Sequence, residues 1–219
     1  MYQFKEISAE EFFGCKLRGA NNVVNAVIGS STDDGGHYAN IPPSVLEKAA
    51  ARGKAVHESI EHFLKGDTEE VELGLEYDIY KYWFDYWMEE RYDSIEKIGV
   101  EVKIISEELA CKGIIDFIGK FQNKNSDGEP EDEPFYALVD WKTSSSLDEF
   151  RTQCQLTLYY FLLREQYPEL AAKIQQLRCL QITKYQYRWF RFPIDEKLGE
   201  SLLYLYKNYF REQAEKREK

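Results

Sequence analysis

Apolar positions recur at helical spacing along SVLEKAAARGKAVHESIEHFLKGD, where Val45, Leu46, Ala49, Val56, Ile60, Phe63 and Leu64 define a stripe. Pro42 and Pro43 mark its start and Gly66 its stop. The aromatic-rich EYDIYKYWFDYWMEERY predicts a second helix, with the aromatic stripe packed on the core. The pattern then changes. IGVEVKIIS, LACKGIIDFIGKF and FYALVDWKT predict three successive strands. LDEFRTQCQLTLYYFLLREQY predicts a helix that stops before Pro168, LRCLQITKY and YRWFRFPID a further strand pair, and EKLGESLLYLYKNYFREQAEKREK a closing helix that frays into charge. This order of elements belongs to an α/β or α+β fold. GSSTDDGGHYANIPP is a loop by its Gly, Asp, Ser and Pro content.

Composition narrows the picture. The chain's 219 residues suit a single domain with a real core, and 43% apolar and 15% aromatic content argues against disorder. A helical N-terminal part of about 1–92 and a strand-rich core of about 95–195 are expected within it. No apolar run reaches the ~18 residues of a membrane span. The start, MYQFKEISAEEFF, resembles neither a secretory signal nor an organelle presequence, so a soluble, cytoplasmic protein is expected. A formal charge of −11 excludes a protein that coats nucleic acid by bulk basicity, though not a local basic groove. Cys15, Cys111, Cys154 and Cys179 are scattered without paired spacing and read as free, buried thiols.

The candidate chemistry sits where acids interrupt apolar strands. Two strands carry Asp116 and Asp140, and the second adds Lys142. Between them, QNKNSDGEPEDEP is a turn region centred on Gly128. A symmetric hairpin about that centre sets Asp116 opposite Asp140 and Phe121 opposite Phe135, with Cβ atoms about 4.5–5.5 Å apart. Alternation puts Lys142 on the face of Asp140. Adjacent buried carboxylates repel, so they need compensation. Lys142 pairing with one of them is the structural solution; a divalent cation held between them is the functional one.

Two helices bear on the same region. His57 and Glu61 share a helix face, and Gly53, one turn earlier, permits close approach of backbone to the sheet. HESIE is not the H-E-x-x-H zinc motif, because position 61 is Glu. His37 and His62 receive no role. Arg151, Gln155 and Tyr159 recur every four residues, a polar stripe facing either solvent or the carboxylates.

RGKAVHESIE, GIID, DWK and QLTLY, in this order over roughly residues 50–190, resemble the motifs of the PD-(D/E)XK nuclease superfamily. Within it the chain resembles the RecB-like branch, which takes in phage exonucleases and the mitochondrial genome maintenance exonuclease. The four-cysteine cluster of the CRISPR-associated branch is absent, as are helicase motifs. The resemblance implies a restriction-endonuclease-like core, a central mixed β-sheet flanked by helices, and a Mg²⁺- or Mn²⁺-dependent deoxyribonuclease using one or two ions. It implies metal ligation by His57, Asp116, Asp140 and the main-chain carbonyl of Trp141. It gives Lys142 a part in activating or positioning water, Gln155 and Tyr159 a supporting part, and Glu61 a more distant one. The substrate it implies is linear DNA, single strands included, handled alongside replication, recombination or repair proteins. Arg52, Lys54, Arg151, Lys184, Arg188 and Arg191 are candidate phosphate contacts, and Tyr185, Tyr187 and Trp189 candidate stacking or core aromatics. The rival is a non-catalytic nucleic-acid-binding or assembly protein on the same fold.

Overall fold

The computed structural model describes residues 2–30, 39–66 and 75–210. Most of the predicted loop at 29–43, including His37, and the charged end of the closing helix lie outside them. In chain order the elements are α1 (Ala9–Gly14), β1 (Arg18–Gly19), α2 (Ala20–Ile28), α3 (Pro43–Lys65), α4 (Leu75–Arg91), β2 (Tyr92–Ser106), β3 (Cys111–Lys124) and β4 (Pro130–Lys142). Then come α5 (Glu149–Gln166), α6 (Pro168–Ala171), β5 (Ile174–Ile182), β6 (Tyr187–Phe192) and α7 (Glu196–Leu205), which runs into a π turn at Tyr206–Phe210. The fold is mixed α/β, a curled mixed sheet flanked by helices, as the pattern predicts.

The helix boundaries follow local chemistry. α3 begins at Pro43, whose missing N–H costs nothing in the first turn, and ends where Gly66 takes a left-handed conformation and donates to the carbonyls of His62 and Phe63. Asp148 caps α5 by accepting from the Arg151 amide. α5 is buried on nearly every side, because it lies between the sheet and helices α2 and α7.

β3 is the hub of the sheet. β2 pairs with it antiparallel along one edge. On the other edge β4 pairs antiparallel from Phe117↔Val139 onward, and the short β1 pairs parallel at Cys111 and Lys112. β5 adds parallel to β4, with Asp140↔Cys179 and Lys142↔Gln181, and β6 closes the order antiparallel to β5. The predicted register of the hairpin holds from Phe117↔Val139 to Phe121↔Phe135. Beyond it the strands run further than expected, to Lys124 and from Pro130, leaving a tight turn at 125–129. Their polar residues form an exposed ribbon with no core face to declare it. Asn125 Oδ1 accepts from the Asp127 and Glu129 amides, Gly128 sits at φ +82°, and a bulge next to Phe121 shifts the register.

Two apolar clusters sandwich the sheet. One joins α2, α5 and α7 to Ile104, Ile115, Ile118, Leu138 and Leu177. The other joins Val56 and Ile60 of α3 and Phe84 and Trp87 of α4 to Phe117, Phe121, Val139 and Trp141. The N-terminal helices therefore share their core with the strands. Trp87 is the centre of the second cluster, with ring centroids 5.7 Å from Phe84, 5.9 Å from Trp141 and 4.9 Å from Trp189. The cysteines are free, with Cys111, Cys154 and Cys179 buried. Among the described residues no helix is long and apolar enough to cross a membrane.

Truncating Trp87 to Ala should cost about 3–5 kcal/mol, the range for a large aromatic in a core. Denaturant unfolding reads this directly, and a loss below about 1 kcal/mol would contradict the packing described.

Candidate metal centre

The site forms where β3 and β4 part. Beyond Phe117↔Val139 the ladder ends, and the Trp141 amide donates 2.8 Å to Asp116 Oδ2 instead. Gly113–Asp116 pair with neither β4 nor β1 on that edge. α5 packs against this stretch. A Cβ on Gly113 would lie 2.8 Å from Tyr159 Cε1 and 3.0 Å from Leu162 Cδ1. The glycine of GIID is thus required by the tyrosine of QLTLY.

Asp140 is 1% exposed. Its Oδ1 accepts from Gln155 Nε2 at 3.0 Å, and its Oδ2 stands 2.7 Å from Lys142 Nζ. Gln155 is fully committed: Nε2 also donates to Tyr159 Oη at 2.8 Å, and Oε1 accepts from Lys142 at 3.1 Å. An ammonium only donates, so the amide orientation follows from the network. Burial works against the Lys142 charge, but Asp140 and Asp116 outweigh it, and its pKa is raised. Lys142 stays cationic.

From the other side α3 presents His57 over the strand end. Its Nε2 lies 2.9 Å from the Trp141 carbonyl. A carbonyl only accepts, so Nε2 carries a proton, and Nδ1 faces Asp116 Oδ2 3.7 Å away, where a second proton or a cation would join the two. Gly53 allows the expected close approach, since a Cβ there would sit 3.4 Å from Thr143 Oγ1.

The sequence reading missed Glu101. It lies on β2 between Val100↔Phe117 and Val102↔Ile115, which places it across from Asp116. On both strands the alternation breaks here: Val100 and Phe117 belong to the α3–α4 side, Val102 and Ile115 to the α5 side. Glu101 accommodates the break with φ +51°, rare for a side chain other than glycine. His57, Glu101 and Asp116 each offer a ligand atom, and these lie within 4.8 Å of one another. Burial, then Asp116 and Glu61, raise the Glu101 pKa to about 8. Burial raises Asp116 to about 6, with Asp140 adding and His57 and Lys142 opposing. The donor set of one imidazole and two carboxylates fits a divalent cation, and the buried Asp140 Oδ2, which has no hydrogen bond in good geometry, fits the same reading.

The residues expected here are otherwise distributed as follows. Asp140 is taken by Lys142 and Gln155 rather than grouped with His57, and the Trp141 carbonyl is engaged by His57. Glu61 pairs with Lys65 at 2.5 Å. Arg52 donates to the Thr143 carbonyl at 3.1 Å and stacks over Tyr80, while Arg151 ties Asp148, Asn25 and the Gly29 carbonyl together. Both guanidinium groups thus hold the walls of a cleft of about 440 Å³, lined by Asn25, Gly53, His57, Lys142, Ser144 and Gln155 among others. Lys54 pairs with Glu58 on the surface. Lys184 and Arg188 are exposed at the same sheet end as Lys142, linked through the row Lys142↔Gln181↔Arg188, and Arg191 is exposed further along β6. Of the three aromatics, Tyr185 is exposed, Tyr187 bonds Glu90 and Arg91, and Trp189 packs on Trp87.

Glu101 keeps its proton in the folded chain to about pH 8, against 4.5 for a free glutamate. Folding takes up that proton in between, so the contribution is full below about 4.5 and lost as pH rises through about 8. Metal-free protein should therefore melt at lower temperature as pH rises across this window, and Glu101→Gln should flatten the slope. An unchanged slope in the variant would contradict the assignment.

No family model and no curated protein matches this chain. Among solved structures it is similar to SSO0001, at 19% identity over 88% of this chain and 77% of that one, with a TM-score of 0.36.

Proposed function

We propose that this chain is a metal-dependent deoxyribonuclease of the PD-(D/E)XK type, hydrolysing phosphodiester bonds of linear DNA, single strands included. The observation that carries the reading is the convergence of Asp116, Asp140, Lys142 and His57, with Gln155 clamping two of them and His57, Lys142 and Gln155 lining one cleft. In the reaction water attacks phosphorus, one P–O ester bond breaks, and the leaving alcohol takes a proton. A bound Mg²⁺ or Mn²⁺ would supply Lewis acidity and make the water nucleophilic near neutral pH.

The chain's own residues divide the remaining work. Asp116 and His57, with Asp140 beside them, supply the donors for one or two ions. Lys142, held cationic, offsets negative charge developing on the phosphate. Gln155 fixes the Lys142 head and the Asp140 carboxylate in one geometry, and Tyr159 anchors Gln155. Lys184 and Arg188 remain to meet backbone phosphates outside the cleft, whereas Arg52 and Arg151 shape its walls. The imidazole nitrogen favours Mn²⁺ over Mg²⁺. The proposal places the enzyme in the cytoplasm, acting with replication, recombination or repair proteins.

Linear and circular, single- and double-stranded DNA incubated with Mg²⁺, Mn²⁺ or EDTA tests the reading. Cleavage of linear DNA is expected only with metal, with Asp140→Ala inactive and Lys142→Ala slower by about 10²–10³-fold. DNA left intact across all metals and substrates, or undiminished cutting by Asp140→Ala, would overturn it.

A further inference from the structure

The chemistry described so far makes no use of a row of aromatic rings on the outer face of α4. Tyr82 is 54% exposed and Tyr86 40%, and their rings stack with centroids 6.2 Å apart. Trp83 meets both edge-on, at 5.2 Å and 5.8 Å, and Tyr187 of β6 continues the row 6.3 Å from Tyr86. None of the four is fully buried, and partly exposed rings grouped in this way mark an interaction surface, unlike single ones. Their neighbours hold them in place. Tyr187 donates to Glu90 and accepts from Arg91 Nε at 3.2 Å, and Lys81 pairs with Asp85. Asp85 and Glu90 are thus answered within the protein, and the Arg91 guanidinium lies 5.9 Å over the Tyr187 ring.

We propose that this row is a stacking platform for the bases of a single nucleic-acid strand that runs on from the cleft holding Lys142. Continuity comes first from the sheet. Lys142↔Gln181↔Arg188 is one row across β4, β5 and β6, and Ile182↔Tyr187 is the next, so the backbone at Tyr187 lies about 10 Å from that at Lys142. α3 makes a second link, since Arg52 reaches both the Thr143 carbonyl at the cleft wall and the Tyr80 ring of α4. At the same end the β5–β6 turn sets Lys184 4.7 Å over the ring of Tyr185, which is 72% exposed. Every base has an aromatic face, so a row of rings takes strands of any sequence, and cations beside it meet their phosphates. A duplex keeps its base faces inside its own stack and gains nothing here. The rings carry hydroxyl groups or an indole N–H and are bordered by the exposed Arg91 and Lys184, unlike the apolar groove that takes a partner helix.

This rests on the nuclease reading only for where the strand leads, and the test needs no cleavage. Binding to the full chain is measured in EDTA with labelled DNA strands of about 4 and about 16 nucleotides, the range of single-strand sites, and with a duplex of the longer one. Anisotropy reads affinity, and the fall of indole fluorescence reads stacking on Trp83. The variants are Trp83→Phe, the pair Tyr82→Leu with Tyr86→Leu, which keeps apolar side chains and loses the flat rings, and Tyr204→Leu. Tyr204 is an exposed tyrosine of α7, across the sheet from α4, and serves as the control. Thermal unfolding confirms that each is folded. The wild type should bind the longer strand more tightly than the duplex, with a loss of fluorescence that Trp83→Phe removes. The Tyr82–Tyr86 pair should weaken the longer strand by at least about 10-fold and leave the short strand and the duplex within about 3-fold. Unchanged affinity of that pair for the longer strand, or no fluorescence loss in the wild type, overturns the proposal. So does an oligomer that the pair dissociates while strand binding persists, which would assign the face to a second copy. A strand bound as described by a protein that cuts no DNA would leave the platform standing and remove the nuclease reading alone.

Discussion

The hydrogen bond from the Trp141 amide to Asp116 Oδ2 is the hinge of the molecule's chemistry. It takes the place of the next rung between β3 and β4, so the strands separate without leaving a buried N–H unsatisfied. The separation opens the end of the sheet, and each neighbour fills a part of it. β1 occupies the far end of the same edge, Tyr159 lies on Gly113, Gln155 reaches Asp140, and His57 closes over the Trp141 carbonyl. A side-chain carboxylate standing in for a backbone acceptor thus couples the fold to the site. An apolar residue in place of Asp116 would leave the Trp141 amide without that acceptor.

The second organising feature is charge. Asp116 and Asp140 are nine-tenths buried or more, Glu101 is partly so, and Glu61 lies close enough to act on Glu101. Lys142 answers Asp140, and Lys65 answers Glu61. Glu101 and Asp116 are left facing each other beside His57, and burial above all pushes both carboxyl groups up, with Asp116 adding at Glu101 and Asp140 adding at Asp116. Groups arranged this way weaken a fold unless a proton or a cation joins them. The cleft shows the reverse economy. Arg52 and Arg151 hold its walls as struts through the carbonyls of Thr143 and Gly29, while Lys142 lines it.

Much of this arrangement is legible in the sequence, and for identifiable reasons. The helices α3, α4 and α5 announce themselves by period and by stops such as Gly66 and Pro168. The hairpin register follows from a Gly-containing turn and a pair of phenylalanines, Phe121 and Phe135, that stack 5.4 Å apart. The rungs that place Asp116 near Asp140 therefore came out as expected, up to the point where the strands part. What stayed hidden is non-local or irregular. The splaying at Asp116 depends on a side chain replacing a backbone group, which no periodicity records. Glu101 was invisible because alternation within VEVKI points an acid outward, and only the left-handed turn of its backbone brings it in. The bonds that hold the two arginines were hidden for a related reason, since the carbonyls of Gly29 and Thr143 that accept from them are far away in sequence. The polar ends of β3 and β4 lacked any apolar face that would mark them as strands.

The central claim is that these buried acids are assembled around a divalent cation. Crystals soaked in Mn²⁺ and measured near the manganese absorption edge test it most directly, because the anomalous signal locates the ion without reference to activity. A peak about 2.0–2.6 Å from His57 and from the carboxylates of Glu101 and Asp116 is the result the account predicts. A map with no peak in this cluster, or with manganese bound elsewhere while His57, Glu101 and Asp116 stay free, would contradict it.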